Sequence, residues 1–255
     1  MAASDPTYSG PRHKKRRMSF SDDCGFTSQQ LTIVVGADFV GSDTDPEDTP
    51  KTFYAHDKIL IENSDFFAAA LRNNWTESRE RIVKLPAESP RSFELFLRFI
   101  YRREAIGRLR WRPNTDFADN SHFLVRCWAL GEKLICTDFQ DAVMDALLVE
   151  LKYVPATPED LHQSIYTSTS TPNALSRLMV DIAAREWEPK DVDELVDSTK
   201  DGAFLKHLTA KLLTATPEER CKLPPYDFDP DCEYHEHVEK VGMSCYKPTR
   251  VDRKD

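Results

Sequence analysis

Two cysteines and two histidines near the C-terminal end form the densest set of thiols and imidazoles in the 255-residue sequence: Cys232, His235, His237 and Cys245, spaced C-x2-H-x-H-x7-C. Thiolate sulfur and imidazole nitrogen are ligands that zinc accepts in a tetrahedral, four-coordinate site, so the cluster could close a structural metal centre. The spacing matches no common zinc finger. A polar tail without metal, tied down by Tyr234 and Val238, is the competing reading. On the sequence both stay open, and no other cofactor is indicated.

Other reactive arrangements do not assemble. There is no G-x-S-x-G elbow and no H-E-x-x-H, and none of the eight glycines falls in G-x-G-x-x-G. Gly36-x-x-x-x-Gly41 follows an apolar run, but Ser42-Asp43 stands where a phosphate loop needs Lys and Ser/Thr. Asp43, Asp45, Glu47 and Asp48 would also repel a triphosphate. The expectation is a protein that is not an enzyme and takes no small-molecule substrate.

Charge narrows the partners further. Thirty-four basic against 43 acidic residues give a net charge of -9, which repels nucleic acid and anionic membranes. The chain starts without an apolar export segment, and its apolar runs are broken well short of the about twenty residues a membrane span requires. An intracellular protein, nuclear or cytoplasmic, is expected, with no nucleic acid or membrane partner. Cysteines 24, 127, 136, 221, 232 and 245 are widely spread, and in a reducing compartment they read as thiols or ligands. Cys127 and Cys136 fall in or beside apolar helix faces and read as buried and inert.

Residues 1–27 are rich in Ser, Pro, Gly and charge and read as a disordered basic tail. His13-Lys14-Lys15-Arg16-Arg17 is the one basic patch there, an import signal or an anion-binding run if it is more than a solvated tail. Arg16-Arg17-Met18-Ser19-Phe20 resembles the R-R-x-S-φ substrate pattern of basophilic kinases. Phosphate on Ser19 would add about -1.5 to -2 charge beside those cations.

The elements that could position a site emerge from periodicity. Leu31 to Val35 reads as a strand ended by Gly36, and Phe53 to His56 as a second strand feeding a helical hairpin. Asn63 and Ser64 can cap its second helix. Ile82 to Leu85 is a brief strand stopped by Pro86, and Ser89-Pro90 supplies a cap and first position for a helix carrying Phe93, Phe96, Leu97, Ile100 and Tyr101 on one face. Arg102 to Arg112 holds five arginines and Trp111, a solvated loop or a partner-facing patch. Helices are expected from about Ser121 to Leu134 and then from a cap at Asp138 through Leu151. Others should start at Thr157-Pro158 and, after a Thr167–Thr171 linker, at Thr171-Pro172, with further pieces at Val192–Val196 and Phe204–Leu213.

Several of these pieces together resemble the BTB/POZ domain: His56 to Leu60, Ser64-x-x-Phe67, Trp75-Thr76-Glu77-Ser78, Val83-Lys84-Leu85 and Phe93 to Tyr101. The resemblance covers roughly residues 28–150, and Leu161 to Arg185 is similar to the segment after the domain in filamentous-fungal BTB proteins. A Tyr-His-x-His with flanking Cys is also similar to the ends of such proteins. The resemblance implies an α/β BTB/POZ fold, a small sheet capped by helices, and beyond it an all-helical region. The expected division is a 28–151 domain, a 152–215 helical region and a 216–255 extended polar tail. His56 would then be structural, at the strand-to-helix junction, not a base with Asp57 or Asp65.

Function implied by the resemblance is protein–protein interaction, with another BTB chain or a cullin as partner. Two uses are implied: an adaptor for a cullin-type ubiquitin ligase, or a nuclear regulator. The family's cullin contacts surround the helix ending at Tyr101 and the loop after it, which here is unusually basic. Dimeric zinc-finger members generally have an Asp just before the first strand and a basic residue after the helix-opening His. This chain has Gln30 and Asp57 there, which favours a heterotypic or monomeric protein.

If the basic tail directs import, replacing Lys14, Lys15, Arg16 and Arg17 by Ala moves a fluorescently tagged protein to the cytoplasm, and Ser19→Asp does so in part. Unchanged localisation of the quadruple variant removes the nuclear reading. Thermal unfolding is unaffected by either change, because the tail has no apolar face to contribute.

Overall fold

Strand β1 (Gln30–Val35) alternates buried Leu31, Ile33 and Val35 with more open neighbours, the period of two that a half-covered strand requires. The structure, a computed structural model, describes residues 28–39, 49–72, 79–102, 106, 117–153, 161–187, 202–216, 232–238 and 245–247. In it β1 is the central strand of a three-stranded sheet. Strand β2 (Lys51–His56) pairs antiparallel, with Leu31 opposite Ala55 and Ile33 opposite Phe53. Strand β3 (Ile82–Leu85) pairs parallel, with Ile33 opposite Val83 and Val35 opposite Leu85. That register puts Leu31, Ile33, Val35, Ala55, Val83 and Leu85 together on the covered face.

Helices α1 (Asp57–Asn63) and α2 (Asp65–Arg72) follow β2 in the chain. Their junction turns on Ser64. Its hydroxyl oxygen accepts the Phe67 backbone N–H at 3.3 Å, capping α2, and its proton goes to the Leu134 carbonyl at 2.6 Å. Asn63 does not cap α2; its amide donates back to the Ile59 carbonyl at 2.7 Å. Helix α3 (Pro90–Arg102) starts as its sequence predicts, with the Ser89 hydroxyl accepting the Ser92 N–H and proline in the first position. Its buried Phe93, Phe96 and Phe99 join an aromatic chain: Phe53 to Phe93 at 5.2 Å, Phe96 to Phe139 at 5.4 Å and Phe99 to Phe139 at 5.5 Å.

Helices α4 (Phe117–Lys133) and α5 (Thr137–Tyr153) pack side by side. Gly131 allows this, since a Cβ there would lie 2.8 Å from Gln140 Cγ. Helix α5 begins at Thr137, so Asp138 sits inside its first turn and is not the preceding cap. Three further helices complete the order: α6 (Leu161–Ser168), α7 (Ala174–Glu186) and α8 (Gly202–Thr214). Helix α6 runs to Ser168, into the expected Ser/Thr linker. Helix α7 is capped two residues later than Thr171: Asn173 Oδ1 accepts the Ser176 N–H at 2.7 Å, and Ser176 Oγ accepts the Asn173 N–H at 2.9 Å. Phe204 anchors α8 between His162 and Trp187, and Leu212 and Leu213 at its end are exposed. Thr157-Pro158 and Val192–Val196 lie outside the described residues.

One stretch departs clearly from expectation. Within the region read as an extended polar tail, Tyr234, His235 and Glu236 are buried, and Glu236–Val238 is a turn of 3-10 helix. The tail folds because α5 and α7 offer it buried carboxylates and an open helix end. Buried residues from β1 through α8 to Tyr234 make one contiguous core. Among the described residues no helix is long and apolar enough to cross a membrane.

Phe67 is fully buried, with its ring 5.3 Å from Phe66 and 6.4 Å from Phe93. Phe67→Ala is expected to cost about 3–5 kcal/mol in urea unfolding. Phe67→Asp, which adds an unpaired buried charge, is expected to yield no cooperatively folded protein.

Candidate functional site

His56 ends β2 and stands as the N-cap of α1, with extended backbone angles. Its backbone N–H donates to the Tyr101 hydroxyl at 2.9 Å, and its Nδ1 lies 2.9 Å from the same oxygen. The two motif residues thus tie the strand-to-helix corner to the end of α3. Leu60, Ser64, Phe67, Leu85 and Phe93 are buried within the same unit, where they carry packing and capping. Trp75 lies outside the described residues, as do Lys14, Lys15, Arg16, Arg17 and Ser19 and most of the arginine loop.

The position after His56 has an internal partner. Arg81 Nη2 donates to Asp57 Oδ2 at 2.7 Å, and Arg81 Nε donates to the Gln30 carbonyl at 3.1 Å. Arg81 holds a left-handed backbone, φ 55, which costs about 1 kcal/mol or more for a residue with a Cβ. Its guanidinium contacts, together with its carbonyl accepting the Thr32 N–H at 3.0 Å, hold it there. Burial pushes the Asp57 carboxyl up, but hydrogen bonds from Arg81 and Ser28 outweigh that and leave it below the usual carboxylate range.

Cys232, His235, His237 and Cys245, far apart in reach along an extended chain, come together. One ligand atom from each lies within 4.8 Å of all the others. Cys232 Sγ is 3.8 Å from Cys245 Sγ, and Cys245 Sγ is 3.9 Å from His235 Nδ1. At the 3-10 turn the rings of His235 and His237 sit 5.2 Å apart. Cys232 takes a left-handed backbone, φ 63. Burial and the neighbouring Cys245 push the Cys232 thiol up to about 11.

Carboxylates that sequence reading passed over hold this turn in place. Asp141 and Asp145, one turn apart on α5, share a face. Asp141 accepts the Glu236 N–H at 2.6 Å through Oδ1 and contacts His237 Nδ1 at 2.6 Å through Oδ2. Asp145 contacts His235 Nε2 at 3.0 Å and Lys247 Nζ at 2.8 Å, and accepts the Tyr246 hydroxyl. Burial works against its ionisation, and the His235, Lys247 and Tyr246 hydrogen bonds hold it below the usual range. Burial and the adjacent Asp145 push the Tyr246 hydroxyl up, while burial and Asp181 do the same to Tyr234. Tyr234 donates to Asp181 Oδ2 on α7 at 2.9 Å, and Glu236 Oε1 accepts the Ala174 N–H at that helix's start at 2.8 Å. No local signal singled them out, since Asp138, Asp141 and Asp145 share one stripe of the helix and read as a solvated polar face.

Asp57→Asn tests the Arg81 clasp. A depressed carboxyl stabilises the fold above its unfolded value, near pH 4, and that gain is lost as pH falls through the lower folded value. The variant is expected to be about 1 kcal/mol or less weaker than wild type at neutral pH, the range of an ion pair open to solvent. Urea unfolding of the two proteins is expected to converge in acid; a gap that persists below the carboxylate range refutes the assignment.

Comparison with known proteins bears on the first half of the chain. The family model of the BTB/POZ domain matches residues 47–111, from just before β2 through α3 and on to residue 111. No curated protein matches the sequence. Strand β1 precedes the matched segment, yet it is the strand on which β2 and β3 both pair, so the folded unit begins ahead of the match. The His56 corner, the Ser64 cap on Phe67, the β3 strand and α3 all fall within the matched residues, and on these grounds the chain carries a BTB/POZ domain.

Proposed function

We propose that the chain acts as a heterotypic adaptor, its BTB/POZ domain docking a cullin-type scaffold of a ubiquitin ligase. BTB/POZ domains are in general protein–protein interaction modules, and the matched segment runs through α3 and the loop after it, the region the resemblance associates with cullins. The observation that favours a heterotypic partner over a zinc-finger-type homodimer is the Asp57–Arg81 clasp. It engages, within one chain, the charged position that would otherwise face a second copy. Edge strand β2 also presents Tyr54, 67% exposed, a large aromatic of the kind that anchors interfaces. A nuclear regulatory role acting through hetero-association is the second reading, and the basic run at Lys14–Arg17 favours it.

Sedimentation of the full chain over a wide concentration range is expected to show a monomer. Calorimetric titration with a recombinant cullin N-terminal domain is expected to give a one-to-one complex of about micromolar affinity or tighter, the range of a specific interface. A concentration-independent dimer that ignores the cullin overturns the proposal. A monomer that ignores the cullin but captures another BTB chain overturns the adaptor role and leaves the hetero-association reading.

A further inference from the structure

The geometry points to a structural zinc ion bound by Cys232, His235, His237 and Cys245, acting as a staple that joins the C-terminal tail to helix α5. With Zn–S bonds of about 2.3 Å, the two sulfurs of a tetrahedral site stand about 3.8 Å apart. That is the separation of Cys232 Sγ and Cys245 Sγ, and it is far beyond the about 2.05 Å of a disulfide. A sulfur and an imidazole nitrogen in such a site stand about 3.5 Å apart. Cys245 Sγ and His235 Nδ1, at 3.9 Å, need only a small inward shift.

Orientation supports the same ion. A zinc-bound histidine donates its other ring N–H to a carboxylate or carbonyl, which sets the tautomer and aims the free lone pair at the metal. Both histidines have that partner: His235 turns Nε2 to Asp145 and leaves Nδ1 toward the sulfurs, while His237 turns Nδ1 to Asp141 and leaves Nε2. The carboxylates are themselves held, Asp141 by the Glu236 N–H and Asp145 by Tyr246 and Lys247. Two sulfurs and two nitrogens in tetrahedral array select zinc over magnesium or calcium, which prefer oxygen. Four protein ligands close the coordination sphere, so the ion has no position for a substrate and serves structure.

The consequence reaches past the tail. Tyr246, beside the ligand Cys245, packs its ring 6.1 Å from Phe99 of α3, and Glu236, between the two histidines, accepts from the first turn of α7. The ion thus fixes a turn that touches α3, α5 and α7 together.

Full-length protein, purified under reducing conditions without chelator, is expected to hold about one equivalent of zinc by elemental analysis, released on chelation with loss of protease resistance confined to the tail. Cobalt reconstitution is expected to give the intense visible bands of a tetrahedral ion and thiolate charge transfer in the near ultraviolet. Cys232→Ser and Cys245→Ser should each reproduce the chelator's effect, and the double variant no more than either. Asp141→Asn keeps all four ligands, yet should lower zinc affinity about 10–100-fold in competition with a chromophoric chelator. Wild-type protein that holds no zinc and takes up none, a weak octahedral cobalt spectrum, or Cys232→Ser protein that retains a full equivalent overturns the assignment. The cobalt spectrum of the wild type decides the matter even if a variant fails to fold.

Discussion

Two carboxylates on one helix decide how the second half of the molecule is joined to the first. Asp141 is almost wholly buried and Asp145 largely so, on a helix that is covered on nearly every side. A buried charge without donors is costly, by several kcal/mol, so α5 cannot take its central place unless something supplies them. The tail supplies the Glu236 N–H, both histidines, the Tyr246 hydroxyl and Lys247. Docking of the tail is therefore coupled to burial of α5, and α5 in turn carries Phe139, the meeting point of the aromatic rings of α3.

The same sharing of donors recurs at smaller scale. Ser64 both caps α2 and donates to the Leu134 carbonyl just past α4, so one hydroxyl links a helical hairpin to the next helix layer. Tyr101 answers two nitrogens of His56, fixing the corner where the sheet turns into helix. Arg81 accepts a strained backbone because its side chain bridges β1 to α1. Each link connects residues remote in sequence through a polar group that burial obliges to find a partner.

A BTB/POZ domain is an interaction module, and in this chain it is not alone on its core. The helical region beyond Tyr153 shares one contiguous apolar interior with it, and Tyr234 donates to Asp181, which also meets Lys211 of α8 at 2.7 Å. A partner that grips the sheet edge or α3 therefore meets a surface backed by the whole molecule. The Asp57–Arg81 pair and the exposed Tyr54 lie on the side of the unit away from that junction in sequence, near β1 and β2.

By itself the sequence determined the local elements of residues 30–102, since each rests on signals within a few residues: alternation at Leu31–Val35, a serine before proline at Ser89-Pro90, S-x-x-F at Ser64. It determined the ligand types of Cys232, His235, His237 and Cys245 as well, because ligand chemistry belongs to the side chain. Where helices meet tail or loop it did less well. Asp138 looks like a cap and lies inside the turn, and Thr171 looks like a cap where Asn173 serves. Only the tertiary structure decided that the tail folds and that its four ligands converge. That outcome depends on Asp141 and Asp145, some ninety residues upstream, whose need for donors has no local signature. Spacing along a chain limits which atoms can meet; burial on a distant helix decides which of them do.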